Sequence, residues 1–331
     1  MRSAYFTLLT LPIATAAPTH YRGQMQKNSI ARFLFAALTL PALVMAEPTF
    51  DFGKYKGLEI DQRSRRSIHI TEQFGHQYGI DNFYHDGKFW HATIDVSGVR
   101  AVIGQQFNFS MTGRAPINHV QARFLMDFDK GIELKAADGS AGPIIHDFVS
   151  SVEATGPVGV GFNFKDALFG NLVNAHRFLS TEQVVMDRII LEGEVLQQVE
   201  VDLAPEERTA GLVKLLEDSE RAGHSQAYWL FRMGFRSSNC TSTKFDALDA
   251  IVHYRTPINW VAAATLGQLP LNGALYLRLR GVLGDSVPTL NKEFASLILA
   301  GQYGTARADR FRRLFTPEGI KIKSKSCPWM M

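Results

Sequence analysis

The chain has 331 residues, 46% hydrophobic and 20% charged, an ordinary globular balance with ample material for a core. Its formal charge is +3, but the first 46 residues contribute Arg2, Arg22, Lys27 and Arg32 and no acid, so the rest of the chain carries −1. That balance excludes the basic surface expected of a nucleic-acid binder.

A basic start at Lys27 and Arg32, an apolar run from Phe33 to Val44, and small residues before Glu47-Pro48 read as a secretory signal peptide beginning at Met25 and cleaved after Ala46. The apolar run is too short to span a bilayer comfortably. Residues 1–24 hold a second, poorer leader-like stretch, so residues 1–46 are read as leader and the mature chain as periplasmic. No cysteine stands at the cleavage point, which argues against lipid attachment there. The remaining 285 residues suit one domain, read over 47–305, followed by a basic tail over 306–331.

Ser67 to Thr71 alternates as a strand does, and Phe74-Gly75-His76 follows, with the glycine permitting an unusual turn just before the histidine. A turn at His85-Asp86-Gly87-Lys88 leads into Phe89 to Val96, where Trp90, Ala92, Ile94 and Val96 share one face. These segments form a hairpin with His76 on one strand and His91 on the neighbour. Ala122 to Phe128, Ile132 to Lys135 and Val184 to Leu203 read as further strands, and Gly156 to Gly161 as a loop. Ala204-Pro205-Glu206-Glu207 opens a helix with proline in its first turn and Leu212, Leu215, Leu216 and Ser219 on one stripe, closed by Gly223. Residues 258–300 are apolar and helical in pattern, but Pro270, Gly273, Gly281, Gly284 and Pro288 interrupt them too often for a membrane span.

The stretch from Tyr228 to Leu248 carries the chemistry. Aromatic residues lead through a polar turn to Asn239-Cys240-Thr241, and then Phe245, Leu248, Ile251 and Val252 recur at helical spacing. Ser237, Ser238 and Asn239 are cap candidates, so Cys240 falls at or next to a helix N-terminus. Unpaired backbone N–H groups there favour thiolate and can hold an oxyanion. Asn239 either shapes that oxyanion site or simply caps the helix. The bland alternative for Cys240 is a core cysteine or, in an oxidising compartment, a disulfide with Cys327.

Phe74-Gly75-His76, then Val201 to Arg208 opening a helix, then aromatic residues leading into Asn239-Cys240-Thr241 resemble, in that order, the bacterial DUF4105 family, also called the Lnb N-terminal periplasmic domain. The resemblance covers residues 65–255. The polar Gln77-Tyr78-Gly79-Ile80-Asp81 after the histidine and the charged end beyond Arg307 depart from the family pattern. The resemblance implies an α+β, papain-like NlpC/P60 fold in circularly permuted order, an antiparallel sheet packed on helices, with extra strand-rich and C-terminal helical parts. It also implies acyl transfer on lipoproteins, from the glyceryl group on the N-terminal cysteine to that cysteine's α-amine, with Cys240 as nucleophile and His76 as base.

Thiol acyl transfer needs a nucleophile, a base in reach and a group orienting the base. His91, on the strand beside His76, is the candidate orienting group, against the alternative of a packed hairpin histidine. No cofactor or metal is implied: His85, Asp86 and His91 match no standard zinc spacing, and Gly156 to Gly161 lacks the ending of a phosphate loop. The expected partner is a lipoprotein or other acylated envelope substrate. The tail, with Arg307, Arg310, Arg312, Arg313, Lys321, Lys323 and Lys325, is either solvated or in contact with an anionic membrane surface. An amidase or peptidase on cell-wall peptide, or a non-catalytic envelope scaffold, are the competing readings.

Overall fold

The computed structural model describes residues 48–108, 117–231, 238–252, 257, 261, 269–299, 315–316 and 319–320. All follow the division of the chain between Ala46 and Glu47. The leader, Cys327, nearly all of the basic tail and residues 232–237 of the cysteine stretch lie outside the described residues.

In chain order the strands are β1 (His69–Phe74), β2 (Gln77–His85), β3 (Lys88–Asp95), β4 (Val99–Asn108), β5 (Asn118–Met126), β6 (Ile132–Lys135), β7 (Ala141–Ile145) and β8 (Asp147–Thr155). Helix α1 (Phe164–Leu168), β9 (Leu172–Ser180), α2 (Thr181–Val184), β10 (Gln197–Val201), α3 (Pro205–Ala222), β11 (Ala227–Tyr228) and α4 (Cys240–Asp249) come next. Then α5 (Gly273–Arg280), β12 (Leu283–Val287) and α6 (Leu290–Leu299) complete the main body. Among the described residues these strands build one sheet in the order β12-β10-β4-β5-β8-β9-β2-β3-β6-β7, with β1 beside β2 and β11 beside β9. Its pairings are antiparallel except for the β2–β9 contact at Tyr84 and Leu179, which is parallel. The protein is therefore α+β, with a large mixed sheet and helices on both of its faces.

Local chemistry explains the elements that position the site. Asp86 and Gly87 both take positive φ, at 50° and 73°, which is what a two-residue type I′ hairpin turn between β2 and β3 requires. Helix α3 has Pro205 in its first turn, the Glu207 carboxylate accepts the Ala204 N–H, and Leu212, Leu215, Leu216 and Ser219 are buried as their spacing predicts. One face of the sheet carries Phe124, Phe148 and Phe178 packed in a single core with Leu212 and Leu216 of α3, Phe245 of α4 and Tyr276 of α5. The opposite face packs Phe107, Val149 and Leu179 against Val184, Val185 and Ile189 and against Leu290 and Phe294 of α6.

Two expectations need correction. Val184 to Leu203 is not mostly strand: α2 continues as a π-helix over Val185–Leu191, and only β10 is extended. The β-branched residues misled the propensity, whereas Ser180 accepts the Gln183 N–H as a cap and the helical period drives Val184, Val185 and Ile189 into the core. The apolar stretch after residue 258 is not all helix, because Leu283–Val287 adds to the sheet edge beside β10. The helix that starts at Cys240 runs to Asp249, with Ala250 as its C-cap. Among the described residues no helix is long and apolar enough to cross a membrane.

Candidate active site

Helix α4 begins where Asn239, with extended backbone, turns its side chain onto the first helical turn. Its Oδ1 accepts the N–H groups of Thr241 at 2.9 Å and Ser242 at 2.8 Å, while Ser242 Oγ accepts the Asn239 N–H at 2.9 Å. The amide of the same side chain donates to the Leu230 carbonyl at 2.9 Å, fixing the helix start to the segment that follows β11. Asn239 is thus a cap, and the Thr241 and Ser242 N–H groups it occupies are not free to hold an oxyanion.

Cys240, the first helical residue, is a free cysteine and fully buried. Its sulfur lies 4.0 Å from Tyr228 Oη and 3.9 Å from Thr241 Oγ1. The thiolate expected from the helix N-terminus is not favoured. Burial pushes the thiol above its ordinary pKa, and the bonds it receives from the Val120 backbone, Thr241 and Tyr228 only partly offset that cost. Tyr228 is likewise held well above a usual phenol, first by burial and then by the sulfur beside it.

One helical turn on, Lys244 occupies the same face of α4 as Cys240. It is 8% exposed, and its ammonium donates to Ser150 Oγ on β8 at 2.6 Å. Among the described residues no carboxylate lies within ion-pairing distance of it. Burial lowers its pKa to about 7, against weaker attraction from Cys240 and Asp218.

The structure does not bring His76 to Cys240. His76 sits in the exposed turn between β1 and β2, after Gly75 at φ 58°, and its ring makes no hydrogen bond among the described residues. Cys240 is buried on a helix that packs against β5 and β8. Nor does His91 orient His76. The His76 carbonyl accepts the Val96 N–H, so His91 lies five residues, roughly 16 Å, farther along that ladder, where its Nδ1 meets Asp81 Oδ1 at 3.0 Å.

Two further histidines stand on the central strands. His176 on β9 is bonded to Gln226 at 3.2 Å, and burial, then Lys244, lower its pKa to about 4. His119 on β5 is bonded to Ser151 at 2.9 Å, and burial, then Arg188, lower its pKa to about 3. Both rings are neutral at physiological pH.

Helix α4 also separates two cavities. A mainly apolar one of about 440 Å³ lies between the sheet and α3, α4 and α5, and its walls include Val120, Phe124, Lys244, Leu248 and Leu277. A polar one of about 930 Å³ is bordered by His176, Asp218, Gln226, Ser238, Thr243 and Asp246.

Lys244 and Tyr228 were the residues a sequence reading passed over. The signal for Lys244 was present: Cys240, Lys244, Ala247, Leu248 and Ile251 repeat at the helical period, which marks a lysine on the buried face. Nothing in the sequence placed Tyr228 Oη beside the sulfur, because that contact depends on how β11 meets α4. Among the described residues no three His, Cys, Asp or Glu side chains converge as a metal site requires. Compared with protein-family models, with characterised proteins and with solved structures, the chain matches none.

Proposed function

We propose that this protein is an exported, cysteine-dependent acyltransferase that acts on acylated envelope substrates, including lipoprotein N-termini, and that its fold is a permuted relative of the NlpC/P60 papain-like architecture. The observation that carries the reading is the free thiol of Cys240 at a helix start, with two of its neighbours, Val120 and Lys244, forming part of the wall of an apolar cavity of about 440 Å³. That volume falls within the roughly 300–1,000 Å³ typical of small-molecule pockets, and such a lining suits an alkyl chain. In this reading Cys240 attacks the acyl carbonyl, the chain rests in the apolar cavity, and an amine acceptor takes the acyl group from the thioester. The sequence-derived proposals of periplasmic export and of a basic tail touching anionic lipid fit a lipid-bearing substrate. A cell-wall amidase would use the same nucleophile.

The test is acyl capture. The mature chain incubated with an activated medium-chain ester, and separately with a diacylated lipopeptide, is expected to gain one acyl mass at Cys240 and to lose that adduct in Cys240→Ala. The full burial of the thiol favours one other reading, a non-catalytic envelope scaffold. Absence of any adduct at Cys240 with both donors establishes the scaffold instead.

A further inference from the structure

A lysine is rarely buried without a carboxylate, because an uncompensated ammonium in a low-dielectric interior is costly. This protein follows the rule elsewhere. Arg123 is bonded to Asp147 and Glu293, Arg177 and Arg188 to Glu153, and Arg280 to Asp249. Lys244 is the exception among these buried cations. Among the described residues its one polar bond is to a neutral hydroxyl, Ser150 Oγ. The groups around it are Cys240 on its own helix, Asp218 from α3, His176 from β9, His119 from β5 across the sheet, and Tyr228 beside the sulfur. Asp218 is already held by Lys214 and Arg221, and burial keeps His119 and His176 neutral at physiological pH. Burial and the sulfur beside it keep Tyr228 a neutral phenol, which leaves the thiol, among the described residues, as the one group that can give Lys244 a counter-charge, and only by giving up its proton.

We infer that Lys244, which lines the apolar cavity one helical turn from the buried thiol, is the base for Cys240: it takes the thiol proton and so generates the nucleophile. The inference rests on the acyltransferase reading for its chemistry, though the proton pair itself can be tested without it. In the first step the S–H proton moves to the Lys244 nitrogen, leaving thiolate and ammonium. The sulfur lone pair then forms the C–S bond to the acyl carbon, the ester C–O bond breaks, and the departing alkoxide takes the proton back from Lys244. In the second step an acceptor amine forms a C–N bond to the same carbon. The C–S bond breaks to release thiolate, and the neutral Lys244 amine receives the proton that the new amide sheds. Donors, acceptors and charge balance at each step, and no further reagent is needed. The lowered pKa of Lys244 fits this role, since an amine that loses its proton near neutrality is a competent base there.

The experiment is the pH profile of Cys240 alkylation by iodoacetamide, followed by mass spectrometry, in the wild type, Lys244→Met and His76→Ala. The wild-type rate is expected to rise with a midpoint near 7. Lys244→Met, which keeps the aliphatic stem, is expected to label at least tenfold more slowly at pH 7.5, with its midpoint moved above about 8.5, the value of an ordinary thiol. His76→Ala is expected to stay within twofold of wild type. An unchanged profile in Lys244→Met, or a wild-type thiol unreactive at every pH, overturns the pair. Should Lys244→Met not fold, NMR titration of the Lys244 side chain in wild type and Cys240→Ala decides the matter. Loss of the thiol is expected to lower the lysine midpoint further, and an identical midpoint overturns the inference. Acyl capture by an activated ester, run on the same samples, separates the two failures. Normal acylation with an unchanged Lys244→Met profile removes only the base, whereas a Lys244-dependent thiol that never acylates removes only the acyltransferase.

Discussion

The two faces of the sheet differ in how completely they pair their buried charges. On the face covered by α2 and α6, nearly every charge has an opposite partner. Glu153 is bonded to Arg65, Arg177 and Arg188, and Arg123 makes paired contacts to Asp147 and Glu293. Although burial alone would raise the Glu153 pKa, its three arginines hold the carboxyl well below the usual range. On the face covered by α3 and α4, Arg280 is paired with Asp249, but among the described residues Lys244 and Cys240 are buried with no carboxylate ion-paired to either, and each is pushed toward its neutral form. A charge layer whose members satisfy each other fixes structure. A layer left one proton short of satisfaction is equipped to move that proton.

The largest effect expected is on the satisfied face. Glu153→Gln leaves three arginines gathered around a neutral amide, and removing one partner of a buried ionic cluster costs about 3–5 kcal/mol. Equilibrium denaturation in urea checks this, and a loss below about 1 kcal/mol would mean that water, not Glu153, compensates the arginines. Acid acts on the same layer in two windows. His119 is neutral when folded, with its pKa near 3, so stability begins to fall as the pH drops below about 6.5, where the unfolded ring takes up its proton. Glu153, ionised when folded, adds a second loss as the pH drops below about 4.3, the value of an unfolded glutamate.

The unsatisfied face should respond on the alkaline side. From about pH 7 upward the folded pair holds one proton, whereas the unfolded chain holds two until its cysteine titrates near 8.5. Stability should therefore rise across that window by about 1.4 kcal/mol per pH unit and then level off, since above it both states hold one proton. In Cys240→Ala the rise should continue toward about pH 10.4, where the unfolded lysine titrates. Denaturation midpoints of both proteins across pH 6–10 test this, and matching profiles would show that the Cys240 thiol titrates in the folded protein as it does in the unfolded chain.

A smaller loss is expected at the helix start. Asn239→Ala removes the acceptor for two first-turn N–H groups and the amide bond to Leu230, for a loss of about 1–2 kcal/mol in denaturation. Asn239→Asp keeps an acceptor for the first-turn N–H groups but sets a buried carboxylate against the Leu230 and Trp229 carbonyls, so it should not restore the loss.

What the sequence revealed divides along the same line as the charges. Features fixed by neighbours in the chain were legible: the Asp86-Gly87 turn, the leucine stripe of α3, and the Asn239 cap before Cys240. Features fixed by packing were not. The β-branched run after Val184 reads as strand until α6 is set against it, and the exposure of His76 depends on where the β1–β2 turn projects. Motif order suggested His76 for Cys240. Helical spacing places Lys244 in the buried stripe, four residues from the thiol.

The smallest expected effect is therefore informative. His76 is exposed at a turn, and the backbone contact it makes, its carbonyl accepting the Val96 N–H, survives truncation of the ring. His76→Ala should change stability by less than about 0.5 kcal/mol, as a surface substitution away from caps and cores does. It should also leave the rate of acyl transfer to Cys240 within twofold. A tenfold fall in that rate at unchanged stability would mean that the hairpin tip reaches the thiol during turnover, which would return the base to His76. An unchanged rate alongside a slow Lys244→Met protein would fix the proton transfer within α4 itself, in two residues one helical turn apart.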